Sequence, residues 1–242
     1  MNPSVNKLQS LLRHDTIMSN IEIATLFREF EPNLNQTTIN WRIYSLVQSG
    51  MIDRVGRGKF SISTRDKFTP IISSRIYDLN LKLKKEFPYL SFCLWDTSIL
   101  NEFMIHQPGL FYTIVEVEKD ATESVFYFLK DQKHTVFINP SSEMLERYVQ
   151  FDQHNIIVKN FITEAPTKLI EDVNTVTLEK VLVDIFCDTT LFSAQQGVEM
   201  RTIFQEAFRK YSLNTDKMFR YSARRGNKKN FGEFFSSILI KQ

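Results

Sequence analysis

The sequence predicts an α/β protein, α+β overall: an N-terminal winged helix-turn-helix, then an α/β domain with a helical C-terminal part. Three observations carry this. Amphipathic helical runs over the first 48 residues give way to two short β-like runs around Gly56-Arg57-Gly58. From about residue 90 to 160, apolar strand-like runs alternate with helical ones, the pattern of a largely parallel or mixed sheet. From about residue 175 onward only helical periodicity remains. RDKFTP (65–70) marks the boundary, so the expected domains are 1–66 and 67–242.

In the first domain, Val5, Leu8, Leu11 and Leu12 predict a helix over 4–13. Ser19-Asn-Ile-Glu22 then matches the S-x-x-E capping box, in which each side chain satisfies the other residue's orphan backbone N–H. Ile23, Leu26, Phe27 and Phe30 form the core stripe of the helix that follows, and Glu31-Pro32-Asn33 breaks it. A third helix over about 36–49 buries Ile39, Ile43, Leu46 and Val47, with Gly50 as its stop. MIDRV and KFSIS are strands flanking a glycine-bearing turn. In the second domain the expected strands are 90–95, 111–117, 134–138 and 155–160, with helices near 71–86, 98–106, 121–131 and 141–149.

In a helix-turn-helix the second helix of the motif enters the major groove. The outward side of the third helix offers Asn35, Gln36, Thr37, Thr38, Trp41, Arg42 and Ser45. Gln or Asn pairs with adenine, Arg with guanine, and a Thr methyl meets that of thymine. Trp41 lies on this polar side, though a side chain that large more often packs against a neighbouring element than stacks on DNA. Arg54, Arg57 and Lys59 suit phosphates or a minor groove. The expected DNA-binding set is Gln36, Thr37, Thr38, Trp41, Arg42, Arg54, Arg57 and Lys59.

Charge divides unevenly: +3 over residues 1–65, −8 over 66–208 and +7 over 209–242. The basic end holds Lys217, Arg220, Arg224 and Arg225, which could touch nucleic acid or a partner, or pair with the acidic middle.

Chemistry of other kinds finds little support. Glu116 and Glu118 alternate on a strand and Asp96 ends an earlier one, a possible metal-holding set for a nucleic-acid enzyme. Yet Trp95-Asp96-Thr97-Ser98 lacks the glycine of a nucleotidyltransferase turn, and Glu116-Val117-Glu118-Lys119 lacks nuclease spacing. Acids on the wet face of an amphipathic strand explain the three equally well. The histidines at 14, 106, 134 and 154 are scattered, and no phosphate-binding glycine loop occurs. Cys93 and Cys187 sit in apolar runs as buried free thiols, far from any zinc spacing. No catalytic residue, metal or cofactor is therefore expected. The alternatives to a DNA-binding regulator are that nucleic-acid enzyme and a protein-interaction module. No run approaches the roughly 20 apolar residues that span a bilayer, and the polar start is unlike a signal peptide, so a cytoplasmic protein without membrane contact is expected.

NWRIYSLVQSGMIDRVGRGKFSI (40–62), TVTLEKVLVDIF (175–186) and NTDKMFRYSARR (214–225), in this element order, resemble the AbiEi-type antitoxins of type IV toxin-antitoxin systems and the viral-defence transcriptional regulators of bacteria. WDTSILNEFMIHQPG and NIIVKNFITEAP resemble an uncharacterised branch of that group, and the α/β segment 88–160 departs from the plain antitoxin pattern. The resemblance implies a phage-defence repressor bound to double-stranded DNA at its own promoter. It also implies a nucleotidyltransferase toxin, encoded alongside and countered without a stable complex. Its basic helical residues in DNA or RNA contact would fall on Arg220, Arg224 and Arg225. A homodimer is compatible with such a regulator.

Overall fold

The computed structural model describes residues 17–48, 52–61, 66–149 and 155–239. The expected helix at 4–13 and the Gly50 stop lie outside them. The chain is a mixed α/β protein whose described strands form sheets of three, four and two strands. It divides into two compact units, one of residues 1–67 with 208–216, the other of 68–207 with 217–242. Residues 208–216, which no feature of the sequence marks as part of the N-terminal segment, join the first unit. There, Ser212 N–H donates to the Asp66 carbonyl at 3.1 Å and Thr215 Oγ1 to the Val55 carbonyl at 2.8 Å.

In the first unit, β1 (Ile17–Ser19) leads into α1 (Asn20–Phe30), and α2 (Gln36–Gln48) leads into β2 (Asp53–Gly56) and β3 (Lys59–Ser61). The capping box is formed as the spacing predicts: Ser19 N–H donates to Glu22 Oε2 at 2.7 Å, and Glu22 N–H to Ser19 Oγ at 3.2 Å. That backbone hydrogen bond holds the Glu22 carboxyl below its ordinary value. The sheet runs β1-β3-β2, all antiparallel, with Phe60 opposite both Met18 and Arg54. Ile23, Leu26, Phe27, Ile39, Ile43, Leu46, Ile52 and Phe60 form its core. Phe30, expected in that stripe, is exposed at the helix end.

The second unit opens with α3 (Ser74–Glu86), whose first turn is capped by Ser73 Oγ accepting from Ile76 N–H at 3.3 Å. Strands β4 (Phe92–Asp96), β5 (Tyr112–Val117), β6 (Thr135–Ile138) and β7 (Asn155–Asn160) lie in the order β4-β5-β7-β6. β5, β7 and β6 are parallel and β4 is antiparallel to β5, so the sheet is mixed. Parallel neighbours need crossovers. Helices α4 (Thr122–Asp131) and α5 (Ser142–Tyr148) lie in the intervening chain. The helix expected at 98–106 is a 3-10 turn at Thr97–Phe103, capped by Asp96, which accepts from Ser98 N–H at 2.9 Å.

A two-stranded hairpin unforeseen in the sequence follows, β8 (Thr167–Ile170) and β9 (Val173–Val176). Its turn residues, Glu171 and Asp172, both take positive φ, 47° and 64°, as the favoured two-residue turn demands. Asn174 of β9 ties to β4 through the Phe92 carbonyl at 2.8 Å. Among the described residues the helices α6 (Leu178–Cys187), α7 (Val198–Lys210), α8 (Thr215–Arg224) and α9 (Lys228–Leu239) follow.

Alternation along β4 and β5 divides the buried side chains between two faces. Phe92, Leu94, Val115 and Val117 pack with α3 and α4 through Ile76, Leu79, Leu83, Val125 and Leu129. Cys93, Trp95, Ile114 and Glu116 point the other way and are equally buried. A sheet covered on both faces explains why these strands read as almost continuous apolar runs. No helix among the described residues is long and apolar enough to cross a membrane.

Candidate nucleic-acid interface

Helix α2 starts where Asn35 Oδ1 accepts from Thr38 N–H at 2.8 Å. Asn35 is thus the N-cap, occupied by the backbone rather than turned to a ligand, and Thr38 is half-buried. With 3.6 residues per turn, Ile39, Ile43 and Leu46 fall on the buried side, while Gln36, Thr37, Asn40, Trp41 and Tyr44 share the exposed one. Trp41 is 66% exposed and Tyr44 61%. The expectation that Trp41 packs against a neighbour is not met: its position on the wheel turns it to solvent.

Arg42 also departs from expectation. It lies on the flank of α2 beside the core, where both guanidinium nitrogens donate to Glu31, at 2.7 and 2.9 Å. Its charge also sits 5.7 Å from the centre of the Phe27 ring. The Glu31 hydrogen bond raises the Arg42 pKa above its ordinary value. A fork already closed on a carboxylate is not available for guanine. On the outer face, Arg28 donates to Gln36 Oε1 at 2.9 Å and Gln36 Nε2 donates to Asn40 Oδ1 at 3.1 Å.

The hairpin follows at once: Ile52 N–H donates to the Leu46 carbonyl at 3.3 Å and fixes β2 to the end of α2. Arg57 and Gly58 form its turn, Gly58 at φ +65°, with its carbonyl accepting from Asn20 N–H at 2.9 Å. Arg54, Arg57 and Lys59 are all exposed. Arg54 Nε donates to the Gly56 carbonyl at 3.3 Å, beside a break in register between Arg54 and Gly56. Asp53, on the same strand, pairs with Lys67 at 3.4 Å. Among the residues expected to bind DNA, Gln36, Thr37, Trp41, Arg54, Arg57 and Lys59 are therefore exposed, Thr38 is half-buried, and Arg42 is paired with Glu31.

In the second unit the basic helix splits. Lys217 and Arg220 are exposed. Arg224 pairs with Glu164, which holds the Glu164 carboxyl below its ordinary value. Arg225 is drawn inward, donating to Asp184 Oδ1 at 3.0 Å. Arg224 and Arg225 are thus satisfied by acids of their own unit.

Arg225 belongs to a buried ionic cluster that sequence reasoning missed. Lys180 is fully buried and donates to Glu116 Oε1 at 2.7 Å and Asp184 Oδ2 at 2.5 Å. Tyr221 OH donates to Asp184 Oδ1 at 2.8 Å. The Lys180 ammonium also lies over the rings of Trp95, at 5.6 Å, and Tyr221, at 5.7 Å. Two cations, Lys180 and Arg225, thus face two carboxyl groups, Glu116 and Asp184. Burial opposes the charge of Lys180, but the two acids outweigh it and its pKa rises well above the ordinary lysine value. Asp184, with two cations and a phenol, is held below the ordinary aspartate value against the penalty of its burial. At Glu116 burial outweighs the charges of Lys180 and Lys159 and lifts its carboxyl above the ordinary range. Burial likewise pushes up the Cys93 thiol and the Tyr221 phenol. Lys180 and Asp184 stand four apart in a helix that is apolar but for them and Glu179, an i,i+4 ion pair inside an apolar run; that was the available clue.

The same cluster disposes of the metal-holding set. Glu116 is 4% exposed and paired with Lys180, so it lies on no wet face. Glu118 lies beyond the end of β5 and is exposed. Asp96 caps its turn and accepts from Thr113 Oγ1 at 3.3 Å. Among the described residues no group of three or more His, Cys, Asp or Glu could hold a metal ion. Cys93 is buried, but Cys187 is only half-buried; both thiols are free.

No curated protein and no solved structure matches the chain. Residues 38–241, from the first turn of α2 to the last helix, match the family of unknown function DUF6577, and the chain belongs to that family.

Proposed function

We propose that the first unit is a winged helix-turn-helix that binds double-stranded DNA, with α2 in the major groove and the β2–β3 hairpin as the wing on the phosphates. The observation that carries it is the exposed face of α2. Gln36, Thr37, Asn40, Trp41 and Tyr44 offer amides, a hydroxyl and aromatic rings, with no acid among them. A backbone hydrogen bond from Ile52 to Leu46 then ties that helix to a hairpin carrying Arg54, Arg57 and Lys59. Amides and hydroxyls suit base edges, and exposed cations suit phosphates. The antiparallel pairing of β1 with β3 fits the three-stranded sheet of such a fold.

Arg42 drops out of the base-reading set because Glu31 holds it; Trp41 stays in because it is exposed. The resemblance to AbiEi-type antitoxins makes the DNA upstream of the chain's own gene the operator of choice. On that reading the chain represses its promoter and counters a neighbouring nucleotidyltransferase toxin without a stable complex. A mobility-shift titration of the full chain against that upstream duplex and a scrambled duplex tests the reading. Both should shift at low salt, and only the upstream duplex should stay bound as salt rises. Absence of any shift at low salt would contradict DNA binding, and equal salt sensitivity would contradict the operator.

A further inference from the structure

We infer that Asn40, held by an Arg28–Gln36–Asn40 hydrogen-bond relay, reads the adenine of an A·T pair in duplex DNA; this rests on the DNA-binding reading above. An exposed Gln or Asn normally samples several rotamers, and its amide can face either way. Here two hydrogen bonds favour one orientation of each amide. Arg28 is donor only, so the Gln36 atom that accepts from it at 2.9 Å is the carbonyl oxygen. Gln36 Nε2 therefore faces Asn40, and the Asn40 atom that accepts from it at 3.1 Å is Oδ1. One donor-only guanidinium on α1 thus sets the orientation of two amides on α2.

The consequence lies in what Asn40 has left to offer. Its Oδ1 keeps one lone pair and its Nδ2 both hydrogens, and Asn40 is exposed. An acceptor and a donor side by side match N6–H and N7 of adenine, the bidentate pairing that distinguishes A·T in the major groove. Guanine presents two acceptors at the same edge and would meet Oδ1 with O6, a repulsive contact. Thr37, Trp41 and Tyr44 share the outer face with Asn40, and their apolar atoms suit the thymine methyl next to such an adenine. Asn40 is the specificity-determining residue, and Arg28 and Gln36 are positioning residues.

The test uses the full chain. A preferred duplex is first selected from a random pool, and each adenine in it is then replaced singly by 7-deazaadenine, which keeps the base pair but removes N7. At one position the replacement should weaken binding on the order of ten- to one-hundredfold. Asn40→Ala should weaken binding to the unmodified duplex by a similar factor and be insensitive to that replacement. Arg28→Ala should shrink the ratio between adenine and 7-deazaadenine at that position, whereas Lys59→Ala, on the hairpin, should weaken binding to both duplexes alike and keep the ratio; a merely structural role for Arg28 would leave the ratio intact. Selection of a site with no sensitive adenine, or Asn40→Ala retaining the full ratio, would overturn the relay while leaving DNA binding intact. Binding only to single strands, or to no nucleic acid, would overturn both readings.

Discussion

At the scale of single residues, the first unit shows how a polar position can serve its own helix pair instead of a ligand. Arg42 sits on the helix proposed to read bases but on its flank, closed on Glu31. Arg42→Ala is expected to cost the first unit about 0.5 kcal/mol, solvent screening keeping a partly exposed pair modest, and to leave the salt dependence of DNA binding unchanged; denaturation and binding titrations check the two halves. The ionic cluster of the second unit is the opposite case, because burial magnifies each charge. Asp184→Asn leaves Lys180 and Arg225 short of a countercharge and is expected to destabilise the unit by about 3–5 kcal/mol at neutral pH. Asp184 is held below the ordinary aspartate value of 3.8 when folded. It therefore contributes stability that is present above that value and is lost as pH falls through the lower folded one. Glu116 is raised from 4.5, so its contribution has the opposite sign, present below that value and lost as pH rises through the folded one. The difference between wild type and Asp184→Asn isolates the first effect. In urea denaturation it should be largest at neutral pH and shrink below about pH 4.

At the scale of elements, the hairpin tip depends on one backbone conformation. Gly58 has φ +65°, and an added Cβ would meet nothing closer than Asn20 at 3.6 Å. The cost of Gly58→Ala is therefore one of backbone strain, roughly 1–2 kcal/mol, and not of collision. Thermal denaturation should show that loss, whereas Gly56→Ala, with no positive φ and an added Cβ meeting Lys59 side-chain carbons at an ordinary 3.7 Å, should cost less. The elements most legible in the sequence were those with one dominant constraint. The four strands of the larger sheet announced themselves as apolar runs because both faces are covered, and the capping box because its two residues act on each other locally. The β8–β9 hairpin stayed hidden because Glu171 and Asp172 occupy a turn that usually advertises itself with Asn-Gly. Asn40 was passed over because polarity along a helix does not reveal which amides are joined. That information lies in Arg28, on a different helix. Lys180 and Glu116 were illegible for the same reason: 64 residues separate them, and only the folded sheet brings them together.

At the scale of the whole molecule, the charge partition of the sequence resolves into separate fates. Part of the basic C-terminal excess is absorbed by Asp184 and Glu164 within the second unit. The exposed cations of the hairpin, Arg54, Arg57 and Lys59, carry the electrostatic half of the proposed DNA contact. The central claim is that these side chains neutralise phosphates beneath a groove-reading helix. It is tested most directly by the slope of log binding constant against log salt for a duplex, compared between the wild-type chain and the triple variant Arg54→Ala, Arg57→Ala, Lys59→Ala. Each lost phosphate contact should reduce the slope by about 0.9, so the account predicts a drop of two to three units of slope, on the order of that factor per residue. An unchanged slope in a folded triple variant, or a wild-type chain that binds no duplex even at low salt, would contradict it.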